Sequence, residues 1–217
     1  KTTAPINAGS YVVRVSVAET ETHSSGFTTK AFTISPKAIT VTVSEKTSVY
    51  GDNTVSLTAT DNGIVSGDEN VYSLSTTATS TTSVGTYNIT GTALDDNYSI
   101  TFENEENAYT ITQREVTLTW GETTFTYDKT AKLPTVTAGN LVNGDNCTVT
   151  VISNKESIIA GNDYVATATA LSNDNYKLPE NKTTNFVINP KAITVTIADK
   201  ESVYGENLVE LTSEITS

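Results

Sequence analysis

The chain repeats itself every 77 residues. A fixed period of that length marks one supersecondary unit copied in tandem, which restricts the fold to an array of small modules. Lys37-Ala38-Ile39-Thr40-Val41-Thr42-Val43 returns two periods later as Lys191-Ala192-Ile193-Thr194-Val195-Thr196-Ile197. Between them Arg114-Glu115-Val116-Thr117-Leu118-Thr119-Trp120 fills the same slot. Tyr50, Tyr127 and Tyr204 keep the step, as do Ile34, Ile111 and Ile188, and so do Gly67-Asp68 and Gly144-Asp145.

On this ruler the chain divides into the C-terminal part of a repeat at 1–36, complete copies at 37–113 and 114–190, and the N-terminal part of a repeat at 191–217. The expectation is a window from a longer array. Each copy is near the size at which a single core is only marginally sufficient, so contacts with neighbouring repeats should add to its stability.

A formal net charge of −12 and an absence of Lys/Arg clusters argue against a nucleic-acid surface, because phosphate binding needs clustered cations. The 37–113 copy has two Lys/Arg against ten Asp/Glu, and the 114–190 copy six against eight. Framework positions match while charge does not, which reads as solvated surface. No apolar run approaches the roughly 20 residues of a membrane span, so no membrane insertion is expected in this segment. Cys147 is the only cysteine, excluding an internal disulfide, and is expected in a strand. An extracellular protein without disulfides fits a bacterial exterior.

Alternation of apolar and polar residues runs through the chain: Ile39, Val41 and Val43 against Thr40 and Thr42, then Val116, Leu118 and Trp120, and Tyr11, Val13, Val15 and Val17. This is the pattern of strands with one buried face. Gly51-Asp52, Asn62-Gly63, Gly67-Asp68 and Asn143-Gly144 supply turns between the runs. No stretch has helical periodicity. The spacing predicts an all-β protein of small antiparallel β-sandwich (Ig-like) modules, with a β-grasp-like module as the alternative. Only two residues separate Ile34 from Lys37, Ile111 from Arg114 and Ile188 from Lys191, and Pro36 and Pro190 stiffen two of these junctions. Such connections predict an elongated rod rather than tethered beads.

Gly9-Ser10-Tyr11, Gly85-Thr86-Tyr87 and Gly161-Asn162-Asp163-Tyr164 each open a strand, and Asn97-Tyr98 and Asn175-Tyr176 follow 11 or 12 residues after the tyrosine. A tyrosine so placed buries its ring and lends its hydroxyl to the backbone, or else lines a sugar site. Asn97, Tyr98, Asn175 and Tyr176 are therefore the candidate ligand contacts. His23, the only histidine, stands where the complete copies have Tyr98 and Tyr176, as one ring in place of another.

Tyr50-Gly51-Asp52, Gly63-Ile64-Val65-Ser66-Gly67-Asp68, Val84-Gly85-Thr86-Tyr87 and Asn97-Tyr98-Ser99-Ile100 together resemble the MBG repeats of bacterial surface adhesins. Tyr127-Asp128-Lys129-Thr130, Asn140-Leu141-Val142-Asn143-Gly144-Asp145 and Asn175-Tyr176-Lys177-Leu178-Pro179 are similar to the related YDG variety, with Lys129 where that pattern has Gly. The resemblance implies a secreted or surface-displayed bacterial protein built of many such repeats, associated by family name with mucin. It transfers no binding residues.

HExxH, CxxC and GxxxxGKS are all missing from the sequence, and a catalytic cleft should show as a long departure from the repeat. The expectation is no enzyme and no cofactor. Calcium is the one ion worth weighing, through Asp95-Asp96-Asn97 and Asp68-Glu69-Asn70, against a solvated acidic turn. A Lys–Asn isopeptide bond would require a buried Lys37. The expected function is that of an adhesin stalk or spacer, with host mucin or other glycans and neighbouring repeats as partners. The rivals are a glycan-binding module and an accessory region of a secreted polysaccharide-degrading enzyme. Early strands at 191–217 and late strands at 1–36 further predict head-to-tail self-association.

Overall fold

The structure is a computed structural model that describes residues 4–207 and 209–216. Two units are distinguished, Lys1–Gln113 and Arg114–Ser217. The first contains β1 (Gly9–Val17), β2 (Gly26–Ile34), β3 (Lys37–Val43), β4 (Lys46–Val49), β5 (Ala59–Asp61), β6 (Tyr72–Thr76), β7 (Gly85–Tyr87), β8 (Ile89–Ala93), β9 (Tyr98–Glu103) and β10 (Tyr109–Thr112). The second contains β11 (Arg114–Glu115), β12 (Thr117–Trp120), β13 (Thr124–Thr126), β14 (Val136–Gly139), β15 (Val149–Ser153), β16 (Gly161–Leu171), β17 (Tyr176–Lys177), β18 (Thr183–Asn189), β19 (Thr194–Ile197) and β20 (Ser213–Thr216). The protein is all-β, with no helix among the described residues.

In β3 the alternation does what the sequence asks of it: Ile39, Val41 and Val43 are buried and Thr40 and Thr42 half-buried. β-branched residues at every position from Ile39 to Val43 suit the pleat. Ile39 and Val41 form a core with Val71 and Tyr98, against which Ile64, Tyr72 and Phe102 pack. β3 is the middle strand of β5-β3-β9, while β4-β10-β7 and β6-β8 complete the module. In the second unit Tyr164, Ala166, Phe186 and Ile188 form the core of β13-β18-β16-β15, with the Tyr164 and Phe186 rings stacked at 5.2 Å.

The module is not purely antiparallel, which corrects the expected sandwich in that respect. β3 runs parallel to β9, with Lys37 opposite Tyr98 and Val41 opposite Phe102. β4 runs parallel to β10, and the second unit repeats both relations in β11–β17 and β13–β18. Parallel neighbours need a long crossover, usually a helix. Here the strands between them form it, so the beginning and end of each copy lie side by side. Side-chain alternation is the same for either strand direction, so periodicity could not have revealed this.

Cys147 is buried and lies two residues ahead of β15 rather than in a strand. Lys37 is exposed, without the burial that an isopeptide bond requires.

Candidate functional site

The Asn-Tyr pairs follow a local turn that the sequence builds itself. Asp95 accepts the Asn97 N–H on Oδ1 at 2.8 Å and the Tyr98 N–H on its carbonyl at 3.1 Å. In the second copy Asn173 takes both roles, accepting from Asn175 at 3.0 Å and Tyr176 at 3.1 Å. A short polar side chain that bonds the backbone two residues on is a recurrent way of fixing such a bend. The turn aims each tyrosine inwards at the start of its strand.

Each ring is then held at its far end. The Tyr98 hydroxyl donates to Asp68 Oδ2 at 2.5 Å and accepts the Val65 N–H at 2.9 Å. The Tyr176 hydroxyl donates to Asp145 Oδ2 at 2.6 Å and accepts the Val142 N–H at 2.8 Å. Both aspartates close the same turn, Asp68 N–H to Val65 O and Asp145 N–H to Val142 O, each at 3.0 Å. Gly67 (φ 100°) and Gly144 (φ 92°) occupy the left-handed position that such a turn demands. The repeated Gly-Asp and Asn-Tyr motifs, far apart in sequence, are therefore two halves of one clasp. The hydrogen bond to Asp68, followed by burial, raises the Tyr98 hydroxyl above the usual phenol range.

Tyr98 and Tyr176 are 6% and 2% exposed, which corrects their candidacy as sugar-stacking residues. A ring offers its face to a sugar only when that face is open, and these face the core. The tyrosines that follow the strand-opening glycines use their hydroxyls in a related way: Tyr11 donates to Asn7 O, Tyr87 to Ser83 O and Tyr164 to Ile159 O.

Asn97 is half-buried, and its Oδ1 accepts the Ala8 N–H at 2.7 Å while its carbonyl accepts the Lys37 N–H at 2.8 Å. It thereby ties the approach to β1 to the head of β3. Asn175 is half-buried, and its carbonyl accepts the Arg114 N–H at 3.0 Å. Beside Asn97 lies a crevice of about 370 Å³, lined by Ile6, Ile34, Lys37, Val65, Asp68 and the edge of Tyr98 among others. It combines an ammonium, a carboxylate and apolar surface, a mixture suited to a small polar ligand.

His23 repeats the backbone turn of Tyr98, its N–H bonding Thr20 O at 3.4 Å. Of the two acidic clusters weighed for calcium, Asp95 accepts the Asn97 N–H on one carboxylate oxygen and Asp68 accepts the Tyr98 hydroxyl on one of its own. Among the described residues no group of three or more His, Cys, Asp or Glu is placed to hold a metal. Also among them, no helix is long and apolar enough to cross a membrane.

The sequence reading missed one polar cluster. Asp128 accepts from Lys132 Nζ at 2.6 Å and from the Thr130 hydroxyl at 2.5 Å, and these bonds hold its carboxyl down at about 2. Lys129 between them has φ 71°. The Asp-x-Thr spacing of Asp128 and Thr130 was the available signal.

Residues 39–108 match the family model of the MBG domain, YGX type. The resemblance drawn from Tyr50-Gly51-Asp52 and its companions therefore holds over residues 39–108, within the 37–113 copy. No curated protein matches the chain.

Proposed function

We propose that this chain is a non-catalytic repeat segment of a bacterial surface protein, displayed outside the cell, where it serves as a stalk or spacer. One observation carries the reading. The motifs shared by the two complete copies are spent on the framework, since the hydroxyls of Tyr98 and Tyr176 each join a turn N–H and a turn carboxylate. Motifs repeated for ligand binding would keep their polar atoms for the ligand. Motifs repeated for architecture use them internally.

Adhesion to mucin or another glycan is the second reading, favoured by the crevice beside Asn97 with its exposed Lys37 and Asp68. The whole chain, titrated over immobilised mucin and a glycan array, separates the two. The spacer reading expects no saturable binding. Saturable binding that Lys37→Ala removes, with the melting temperature unchanged, establishes adhesion through the crevice instead.

A further inference from the structure

The dipeptide Asn-Gly occurs twice in this chain, at Asn62-Gly63 and at Asn143-Gly144. Asparagine is chemically labile, and most so before glycine, which puts no side chain in front of its own amide nitrogen. The fold treats the two sites differently. At the first, Asn62 Oδ1 accepts the Thr40 N–H at 2.8 Å, the Asn62 N–H bonds Thr40 O at 3.3 Å, and the Gly63 N–H is held by Asp61 Oδ1 at 3.2 Å. Both groups that would have to react are engaged, one of them by β3. The surroundings are also close, since a Cβ on Gly63 would lie 3.6 Å from Ile39 and 3.7 Å from Lys37.

Asn143 and Gly144 are exposed. Among the described residues neither the Asn143 side chain nor the Gly144 N–H has a hydrogen-bond partner. A Cβ on Gly144 would meet no atom within 4 Å. The pair forms the middle of the turn closed by the Asp145 N–H on Val142 O at 3.0 Å.

We infer that Asn143 is a self-modification site, at which the chain converts its own asparagine to aspartate and isoaspartate without an enzyme. The Gly144 nitrogen attacks Asn143 Cγ and forms a C–N bond, its proton passes to the side-chain nitrogen, and ammonia leaves. A five-membered succinimide remains. Water then adds to one of its two carbonyl carbons and breaks that carbon's bond to the Gly144 nitrogen. Opening at Cγ gives aspartate on the original backbone. Opening at the main-chain carbonyl gives isoaspartate, whose backbone runs through Cβ and is one atom longer. Nothing is oxidised or reduced, and either product adds one negative charge.

The position of the turn gives the modification its consequence. Val142 and Asp145, on either side of the pair, are the two residues that hold the Tyr176 hydroxyl. An extra backbone atom between them changes their spacing and opens the clasp. The same turn in the 37–113 copy has Ser66-Gly67, closed by the Asp68 N–H on Val65 O at 3.0 Å, and serine has no amide to lose. The 114–190 module therefore carries a timed weak point at a place where its neighbour has none.

The test ages the full chain in warm, mildly alkaline buffer and follows each asparagine by digestion and electron-transfer fragmentation, which separates isoaspartate from aspartate. Asn143 should convert about tenfold faster than Asn62 or more, because only Asn62 has to open locally before it reacts. In urea the two should convert at similar rates. Hydrogen exchange on the isoaspartyl fraction should show the Val142 amide losing its protection while the Val65 amide keeps its own. Asn143→Ser, the residue found in the other copy, should leave Val142 protected after the same ageing. Equal rates in the folded chain overturn the inference, as does a difference that persists undiminished in urea. So does an isoaspartyl fraction in which Val142 stays protected, or an aged Asn143→Ser chain in which it does not.

Discussion

At the scale of single residues the tyrosine clasp is the feature with the most leverage. Removing the Tyr176 hydroxyl leaves the Val142 N–H and the Asp145 carboxylate without that partner beside a ring that is 2% exposed. Tyr176→Phe should therefore lower stability by roughly 1–2 kcal/mol, read by urea denaturation with an unchanged m-value. Lys129 offers the opposite sign. A lysine at φ 71° carries a Cβ in the left-handed region, so Lys129→Gly should raise stability by about 1 kcal/mol in the same assay. Asp128 makes its mark in acid. Its folded value, about 2 against an ordinary 3.8, is depressed, so its stabilisation is complete above the ordinary value and disappears as pH falls through about 2. Melting temperature should decline over that window, and less steeply for Asp128→Asn, which has no carboxylate to protonate. Much of the residue-level chemistry was legible beforehand, because glycine and tyrosine at fixed spacing announce a turn and an anchored ring. The partner of Tyr98 was not. Asp68 lies 30 residues away, and only the fold brings the two together.

Elements were legible as elements and opaque as neighbours. The β3 alternation shows which of its side chains are buried, but that pattern contains no term for direction, so parallel pairing with β9 could only come from the structure. Close approach was equally hidden. Gly91 on β8 lies against Phe102 on β9, where an added Cβ would sit 2.1 Å from Cδ1 of the ring. Gly91→Ala should cost about 1–3 kcal/mol through displacement of Phe102, since interiors are too densely packed to absorb an extra methyl. Near-ultraviolet circular dichroism reports that displacement, because Phe102 packs edge-on against Tyr72 at 6.1 Å. A far-ultraviolet spectrum left unchanged locates the damage in side-chain packing rather than in strand formation.

For the molecule as a whole the period gives the parts list but not the distribution of stability. Repeated sequence suggests repeated strength, yet burial is unequal: the inward residues of β3, of β16 at Tyr164, Ala166 and Ala168, and of β18 are buried, while nearly every residue of β1, β2, β19 and β20 is exposed. Local opening is governed by how much apolar surface a segment shares with its neighbours, not by how well its sequence matches a repeat. Amides in β1, β2, β19 and β20 should thus exchange with deuterium well ahead of those in 164–168 and 186–188, even though all lie in strands.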